Sequence, residues 1–365
     1  MRKKIIWFFI ISFLFSLIYV ISCDKRKEVK KESVGLFSVK LSGKEGYINK
    51  RGEIVINPQF DKAGSFSDGL AAIKVGGRYG YIDKTGKYVV NPQFDYAEHF
   101  DEGLAAVKIG ERWGYIDKNG KYIINPQFNE ASNFSEGLAE VKIGKKHGYI
   151  DKGGKYVINP QFDEAGSFSD GLAYVRISGK QTYIFIFGYI DKNGKYVINP
   201  QFDDAMSFSE GIARVCIGIR AEDILERFSE VLSGEEVRCG FIDKTGKYVI
   251  NPQFNGASNF SEGLAAVNIG GKGLYLPEGG RWGYIDKNGK YVINPQFDKA
   301  DSFSEGLAAV RLGEKWGYID KTGKMVINPQ FDLAGFFKEG LAMIWIGEKI
   351  GYIDKSGKYI WNPTE

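Results

Sequence analysis

The segment Trp113-Gly-Tyr-Ile-Asp-Lys-Asn-Gly-Lys-Tyr-Ile-Ile-Asn-Pro-Gln-Phe128 recurs along the chain and decides its fold. Its Asn-Pro-Gln-Phe ending occurs eight times, from Asn57 to Asn328. The first half of the segment advances by 34, 34, 34, 40, 52, 43, 34 and 34 residues, and the Asn-Pro-Gln-Phe ending advances by the first seven of these steps. Such a chain is a tandem array of one small unit, which buries its apolar face only against its neighbours. The Gly-Tyr/Phe-Ile-Asp/Asn-Lys motif in the first half occurs nine times, beginning at Gly46, Gly80, Gly114, Gly148, Gly188, Gly240, Gly283, Gly317 and Gly351.

The content of the unit predicts β-strands, although 34 residues is also the period of helical tetratricopeptide repeats. Gly110-Glu111 suits a two-residue hairpin turn, and the turn at 117–120 ends in a glycine suited to a left-handed bulge. We therefore predict strand b at 104–109, strand c at 113–117 and strand d at 121–124. Strand d is expected to stop before Pro126, which has no N–H to donate. The connector at 127–137 has room for a short fourth strand, and its Phe128 and Phe134 are predicted core residues.

The phase of the repeat favours an open, twisted β-solenoid of nine three-stranded antiparallel units. The repeats begin with a b strand at 36–41 and end after a d strand at 358–362, which leaves no strand to complete a split blade. β-Propellers typically have about four to eight blades of four strands each. The alternative is a closed, propeller-like ring, which requires the connector to supply the fourth strand.

The N-terminus has the pattern of an export signal. Arg2, Lys3 and Lys4 precede an uncharged, apolar run at 5–22 that ends at Cys23. Because residues 20–23 (Val-Ile-Ser-Cys) resemble the bacterial lipobox, we predict a signal peptide at 1–22 and a lipid on Cys23. A charged, disordered tether at 23–35 would then lead to the repeat domain at 36–365. The protein is expected outside the cytoplasm, anchored to the cell membrane or the outer membrane. The alternative is an uncleaved anchor helix.

Charge gives no indication of a nucleic-acid partner. Without Arg2, Lys3 and Lys4, the 49 basic residues fall to 46, against 45 acidic residues. This balance, and the absence of a basic stripe in the sequence, argue against binding to a phosphate backbone.

The b–c turn fixes which side chains face each other across the hairpin. A turn at 110–111 places Lys108 opposite Trp113, a cation beside an aromatic ring. In the sixth unit the same two positions hold Cys216 and Cys239, on either side of an insertion. Directly opposed cysteines are within disulfide reach, and export permits the bond. We predict a disulfide that closes the base of the insertion; the alternative is two free buried thiols.

These motifs resemble the WG-repeat (KWG-repeat) proteins of bacteria, over residues 36–363. The segments 113–117 (Trp-Gly-Tyr-Ile-Asp) and 134–139 (Phe-Ser-Glu-Gly-Leu-Ala) show the pattern in full. The resemblance implies an all-β repeat scaffold that is often exported, and it offers no catalytic residue to carry over. The motif tryptophan is replaced at Tyr79, His147, Phe187, Cys239 and Ile350.

The residue types needed for catalysis are scarce or repetitive. The only histidines, His99 and His147, occupy different parts of their units, which argues against a triad or a zinc site. The carboxylates recur at turn positions such as Asp117, where a structural role is expected. We predict no enzyme, no cofactor and no metal, with weak calcium binding by Asp95/Glu102 or Asp163/Asp170 as an alternative.

Three insertions, near 178–187, 219–237 and 271–280, distinguish the fifth to seventh units from the others. They add 6, 18 and 9 residues at the tip of the same b–c hairpin, so stacking brings them to one edge. Residues 221–232 have the apolar spacing of a short amphipathic helix. Apolar side chains on loops of a rigid scaffold indicate a recognition site. The candidate partner-binding residues are Tyr183, Phe185, Ile224, Leu225, Phe228, Leu274, Tyr275 and Leu276.

The leading hypothesis is an exported, lipid-anchored, non-enzymatic scaffold that binds a protein through the edge bearing the insertions. A second hypothesis is a glycan or cell-wall binding module that uses the repeated aromatic row. Two plainer readings are that the insertions only pack on one another, and that the protein is a spacer without a specific ligand. The candidate glycan-stacking residues are Tyr79, Trp113, Trp282 and Trp316.

Overall fold

The computed structural model describes residues 35–178, 185–218, 237–272 and 279–364. Within these ranges each repeat folds into an antiparallel sheet, which we call a blade, and no helix occurs. The strands of a blade are adjacent in chain order, a, b, c and d. Eight blades contain four strands, whereas the described part of blade 1 contains b, c and d only. The short connector strand that the sequence left open is therefore present in blades 2 to 9.

The strand bounds show how regular the repeat is. Blades 1 to 3 comprise β1 (Phe37–Leu41), β2 (Lys44–Ile48), β3 (Ile54–Phe60), β4 (Lys62–Ala63), β5 (Leu70–Val75), β6 (Arg78–Asp83), β7 (Tyr88–Phe94), β8 (Tyr96–Ala97), β9 (Leu104–Ile109), β10 (Arg112–Asp117) and β11 (Tyr122–Phe128). Blades 4 to 6 comprise β12 (Glu130–Ala131), β13 (Ala139–Ile143), β14 (Lys146–Ile150), β15 (Tyr156–Phe162), β16 (Glu164–Ala165), β17 (Ala173–Ser178), β18 (Phe185–Ile190), β19 (Tyr196–Phe202), β20 (Asp204–Ala205), β21 (Ile212–Ile217), β22 (Arg238–Asp243) and β23 (Tyr248–Phe254). Blades 7 to 9 comprise β24 (Gly256–Ala257), β25 (Ala265–Ile269), β26 (Arg281–Ile285), β27 (Tyr291–Phe297), β28 (Lys299–Ala300), β29 (Leu307–Leu312), β30 (Lys315–Asp320), β31 (Met325–Phe331), β32 (Leu333–Lys338), β33 (Leu341–Ile346), β34 (Lys349–Asp354) and β35 (Tyr359–Thr364).

The two turns of a blade form as the sequence predicts. Lys108 pairs with Trp113 across the b–c hairpin, whose Gly110 has a φ of 58°. At the c–d turn the Asp117 carboxylate accepts hydrogen bonds from the backbone N–H groups of Asn119 and Lys121, both at 2.9 Å. Gly120 follows with a φ of 82°, which suits a residue without a Cβ.

Strand c is buried on both faces because it lies between two neighbouring blades. Tyr115 packs toward blade 4, in a cluster with Phe134 and Ile150, whereas Ile116 packs toward blade 2, in a cluster with Tyr81 and Phe94. Alternate side chains of a strand point to opposite faces, so the Tyr-Ile pair of the motif contributes to two interfaces. The Tyr115 hydroxyl also donates a hydrogen bond to the Ser132 carbonyl of blade 4, at 2.7 Å.

The prediction that strand d stops before Pro126 is wrong. Strand β11 continues to Phe128, and its pairing with β10 shifts between Trp113↔Phe128 and Tyr115↔Ile124. The extra residues of the d strand form a bulge at Asn-Pro-Gln. Proline is tolerated there because d is an edge strand and the bulge requires no ladder donor from it.

The prediction of an open solenoid is also wrong, because the blades close into a nine-bladed β-propeller. Each pair of neighbouring blades in the described part shares an apolar cluster, and a ninth cluster joins blade 9 to blade 1. This closing cluster contains Val39 and Ile48 of blade 1 with Leu341 and Tyr352 of blade 9. A ring of this kind closes by side-chain packing between whole blades, so no strand has to be exchanged.

Side chains at the closing interface replace the a strand that is missing from the described part of blade 1. In blade 2 the carbonyls of Ala72 and Lys74 accept hydrogen bonds from the a-strand region. The corresponding carbonyls of blade 1 accept instead from hydroxyls of blade 9: Tyr352 to Ser38 at 2.9 Å, and Thr364 to Lys40 at 3.1 Å. Burial raises the pKa of the Tyr352 hydroxyl to about 12, although its hydrogen bond to Ser38 acts in the opposite direction.

Two sequence predictions lie outside the described residues. One is the helix at 221–232, and the other is the signal peptide at 1–22 with the tether at 23–35, of which only residue 35 is described. Among the residues that are described, no helix is long and apolar enough to cross a membrane.

Candidate functional site

The three insertions arise from one end of the ring. They interrupt the hairpins β17–β18, β21–β22 and β25–β26, which are the b–c hairpins of blades 5, 6 and 7. We call the end of the ring that carries all b–c turns the hairpin face. Phe185, the first residue of β18, pairs with Ser178. The other candidate partner-binding residues fall in the undescribed segments 179–184, 219–236 and 273–278: Tyr183, Ile224, Leu225, Phe228, Leu274, Tyr275 and Leu276.

Side chains within each blade hold the bases of these insertions. In blade 5 the Asp163 carboxylate accepts hydrogen bonds from Ser178 N–H (2.7 Å) and Oγ (2.8 Å). In blade 6 the Asp203 carboxylate accepts from Gly218 N–H at 2.7 Å. In blade 7 the fully buried Asn268 contacts both ends of the insertion, donating to the Gly279 carbonyl at 3.3 Å and accepting from Gly271 N–H at 3.0 Å.

A disulfide joins Cys216 and Cys239 at the base of the second insertion. The two residues are directly paired in the ladder, as the hairpin register predicts. The guanidinium of Arg214 lies beside the bond, with Nη1 2.7 Å from Cys216 Sγ, and it donates to Asp204 Oδ2 at 2.7 Å. The described base of the 18-residue insertion therefore combines a covalent bond with a largely buried ion pair.

Sequence reasoning missed a run of polar side chains on strand b of blades 4, 5 and 6. The position is alanine in blades 2, 3, 7 and 8, but it holds Glu140, Tyr174 and Arg214 in these three blades. Glu140 contacts His147 Nδ1 and accepts a hydrogen bond from Ser132 Oγ at 2.6 Å. The signal that could have found this run is the loss of a small residue at a fixed repeat position in consecutive units.

The repeated aromatic row is largely packed between blades. Trp113 and Trp282 are half-buried against the clusters they adjoin, and Trp316 is only 8% exposed. Tyr79 is half-buried as well, with the Lys74 ammonium 5.2 Å from its ring centroid. The cation–aromatic pairs expected across the b–c hairpin are thus present at Lys74/Tyr79, and also at Arg176/Phe187, where the separation is 5.9 Å.

An aromatic cluster that the sequence did not indicate lies between blades 2 and 3. Tyr96 replaces the small or charged residue found in strand a of most blades, and its ring lies 5.2 Å from Tyr79 and 5.6 Å from Trp113. The Tyr96 side chain remains 43% exposed. The negative charge of Glu98, then burial, raise the pKa of the Tyr96 hydroxyl.

Two cavities meet at this cluster. The larger, about 720 Å³, is lined by the a–b segments of blades 2 and 3, by Glu45, and by Lys338 of blade 9. Since one cavity contacts the a edges of blades 2, 3 and 9, these edges converge at the centre of the ring. The smaller cavity, about 380 Å³, is lined by Asp95, Tyr96, Glu98, Lys108, Gly110 and Trp113.

The carboxylates considered for calcium are engaged in hydrogen bonds. Asp95 accepts from Gly110 N–H and pairs with Arg78, whereas Glu102 pairs with Lys152 at 3.1 Å. Asp163 pairs with Lys146, and Asp170 accepts from Gly211 N–H at 2.7 Å. Within the described ranges no group of three His, Cys, Asp or Glu side chains is placed to hold a metal ion.

A family model described as WG containing repeat matches eight segments of the chain: 46–79, 79–113, 113–146, 148–180, 187–218, 240–272, 282–316 and 316–349. The chain belongs to the WG-repeat family. This confirms the resemblance drawn from the motifs. No curated protein matches the sequence of this WG-repeat protein.

Several solved structures are similar to this chain at low sequence identity. A crystal structure of the eukaryotic initiation factor is 10% identical, with 91% of this chain and 96% of that chain covered, at a TM-score of 0.63. Apo AztD from Citrobacter koseri is 12% identical over 89% of this chain and 92% of its own, at a TM-score of 0.42. The biofilm matrix protein Bap1 of V. cholerae is 10% identical, with 81% of this chain and 77% of that chain covered, at a TM-score of 0.33. The first of these likenesses supports the propeller fold and nothing further.

Proposed function

We propose that this WG-repeat protein is an exported, lipid-anchored binding scaffold that captures a protein on the hairpin face of blades 5, 6 and 7. The observation that carries the proposal is that three consecutive hairpins, and only these among the nine, are lengthened at the same end of the ring. Loops held on a rigid scaffold are the common location of recognition sites. The ring supplies rigidity, and the insertions supply a surface that the other blades lack.

The described bases of the insertions support this role. All three are fixed by backbone N–H groups that donate hydrogen bonds to the side chain of Asp163, Asp203 or Asn268, and the second is also closed by a disulfide. Fixing the base of a loop reduces the conformational entropy that the loop loses on binding. The apolar side chains at 224, 225 and 228 would then be presented from a defined position.

The anchor in this proposal is a lipid on Cys23, which follows the apolar run at 5–22. Growth with an alkyne-labelled fatty acid should label the full chain, and Cys23→Ser should abolish the label, because no other cysteine is free once Cys216 and Cys239 are bonded. An equally labelled Cys23→Ser variant would contradict lipidation at this residue.

The binding site is tested with the full chain, solubilised from membranes and immobilised on beads. Envelope extract is passed over this chain, over a variant in which 221–232 is replaced by an equally long Gly/Ser segment, and over Lys145→Ala in the unmodified hairpin of blade 4. We expect discrete protein bands with the full chain and with Lys145→Ala, and their loss with the Gly/Ser variant at unchanged thermal stability. Equal capture by all three would contradict the hairpin face of blade 6 as the binding surface.

A further inference from the structure

Blades 2 and 3 differ from the other blades by an additional aromatic ring at a candidate ligand-binding site. Tyr96 places a third ring between Tyr79 and Trp113, and among the described residues this is the one ring chain that includes two members of the aromatic row. In blade 9 the position of Tyr96 is held by Leu333, an aliphatic side chain that is 53% exposed and pairs with Trp345 in the ladder. Tyr96 lines both the cavity of about 720 Å³ and the cavity of about 380 Å³, whereas Tyr79 lines the larger cavity and Trp113 the smaller one.

Two charged side chains next to these three rings, Glu98 and Lys108, are available to a ligand. Glu98 forms no hydrogen bond through its carboxylate in the described part of the chain; the His99 Nδ1 atom lies 4.0 Å from Glu98 Oε2. The Lys108 ammonium has no carboxylate partner there either, and it lines the smaller cavity beside Trp113. An acceptor and a donor thus flank an exposed ring, which is the combination that fixes a polar ligand in an aromatic-lined pocket.

The charges at the site select the class of ligand. A cationic ligand is disfavoured because the Lys74 ammonium already lies 5.2 Å from the Tyr79 ring centroid. A phosphate-bearing ligand is disfavoured because Glu45, Glu98 and Asp101 line the larger cavity. An uncharged ligand that stacks on an aromatic ring, donates hydrogen bonds to the carboxylates and accepts them from the Lys108 ammonium is compatible with all the side chains of the site.

We propose that the Tyr79–Tyr96–Trp113 cluster binds a neutral oligosaccharide, with one pyranose ring stacked on Tyr96 and its hydroxyls bound by Glu98 and Lys108. The site is confined to blades 2 and 3, because Trp282 and Trp316 are packed into interfaces without a corresponding exposed ring. It is separate from the insertions of blades 5 to 7 and does not depend on the protein-binding proposal.

The test is calorimetric titration of the full chain, purified in a detergent without sugar groups, with cellohexaose and chitohexaose as probes. Tyr96→Ala should weaken binding about tenfold or more, the loss expected for removing a central aromatic contact. Tyr96→Phe, which keeps the ring, should bind as the unmodified chain does. Leu333→Ala is the matched control, because it truncates an exposed side chain at the equivalent position of blade 9.

Glu98→Gln provides a second variant that leaves the rings in place, and it should weaken binding severalfold through the loss of a charged acceptor. Binding of either hexaose that falls with Tyr96→Ala and Glu98→Gln, but not with Leu333→Ala, would support the site. The proposal is overturned if neither probe binds, or if Tyr96→Ala and Leu333→Ala have the same affinity as the unmodified chain. If Tyr96→Ala does not melt cooperatively, the test rests on Glu98→Gln instead. An unchanged affinity of Glu98→Gln for both hexaoses would then overturn the proposal.

Discussion

At the scale of single residues, the first glycine of each Gly-Tyr/Phe-Ile-Asp/Asn-Lys motif is required by the bulge of the neighbouring d strand. A Cβ on Gly114 would lie 2.5 Å from the Ile124 carbonyl oxygen and 2.6 Å from the nitrogen of Pro126. These are backbone atoms and cannot rotate away. The same close approach recurs at all nine motif glycines, for example Gly148 and Gly317. The Gly-Tyr-Ile-Asp and Asn-Pro-Gln-Phe motifs therefore recur together because their backbones touch.

Gly114→Ala is predicted to lower the free energy of unfolding by about 2–3 kcal/mol, as expected for overpacking against atoms that cannot move. Gly110→Ala in the same blade is the control, because a Cβ there meets no atom within 4 Å and the φ of 58° is the only cost, about 1 kcal/mol. Urea unfolding of both variants checks the difference. A Gly114→Ala chain as stable as Gly110→Ala would contradict the proposed contact.

Residue-level reasoning recovered the turns, the hairpin register and the Cys216–Cys239 pairing, because these depend on neighbours close in sequence. It failed at Pro126, since the rule that proline ends a strand assumes that its N–H is needed. In this fold the d strand lies at the sheet edge and bulges, and neither fact can be read from one repeat alone. It also missed Tyr96, whose importance depends on two rings from different blades.

At the scale of elements, neighbouring blades are joined by a repeated carboxylate bridge. In the a–b loops of six blades, numbers 2, 3, 4, 6, 7 and 8, an acidic residue with positive φ accepts a hydrogen bond from a glycine N–H of the next blade and pairs with a lysine in the c–d turn of that next blade. Glu262, for example, accepts from Gly306 N–H at 3.0 Å and pairs with Lys321 at 3.1 Å. Burial acts to raise the pKa of Glu262, but these hydrogen bonds outweigh it, so the pKa is lowered overall. The pKa values of Glu102 and Glu305 are lowered for the same reasons.

These bridges predict a loss of stability in acid. A carboxylate whose pKa is lower in the folded state contributes stability above its unfolded pKa, near 4.5 for glutamate, and loses it as the pH falls through the folded value. The stability should therefore fall below about pH 4.5. The triple variant Glu102→Gln, Glu262→Gln and Glu305→Gln should be less stable at neutral pH and lose less on acidification.

The matched control replaces three exposed glutamates of the b–c turns, Glu111, Glu314 and Glu348, by glutamine. Urea midpoints of the three proteins, measured from neutral pH to about pH 3, provide the comparison. If both triple variants show the acid dependence of the unmodified chain, the bridges are not its source.

The disulfide of blade 6 makes a second prediction at this scale. Replacing Cys216 and Cys239 by alanine should lower the free energy of unfolding by about 3 kcal/mol, because the bond closes a loop between residues 23 positions apart. A reducing agent should shift the urea midpoint of the unmodified chain toward that of the variant and leave the variant unchanged. An identical midpoint for the variant and the oxidised chain would contradict this stabilising role.

At the scale of the whole molecule, the array closes on itself. The sequence predicted the number of units and the all-β class, because both follow from the repeated motifs. It did not predict closure, since the angle between successive blades depends on packing between them, and no residue in a single repeat reports that angle. The clue was present only in the last repeat, where Trp361 replaces an isoleucine and contributes to the cluster that seals blade 9 to blade 1.

Closure is tested most directly by the distance between the first and last blades. Lys50 of blade 1 pairs with Glu339 of blade 9 at 3.7 Å, and Lys118 with Asp68 at 3.5 Å makes the same contact between adjacent blades 3 and 2. Spin labels are placed on cysteines at 50 and 339, and in a reference protein at 118 and 68, both in a Cys23→Ser chain. We expect the first pair to show dipolar broadening as strong as that of the reference pair. Nine sheets stacked in an open array, about 10 Å apart, would separate the first pair by roughly 80 Å. A separation of that order between 50 and 339, with 118 and 68 still close, would contradict the closed ring.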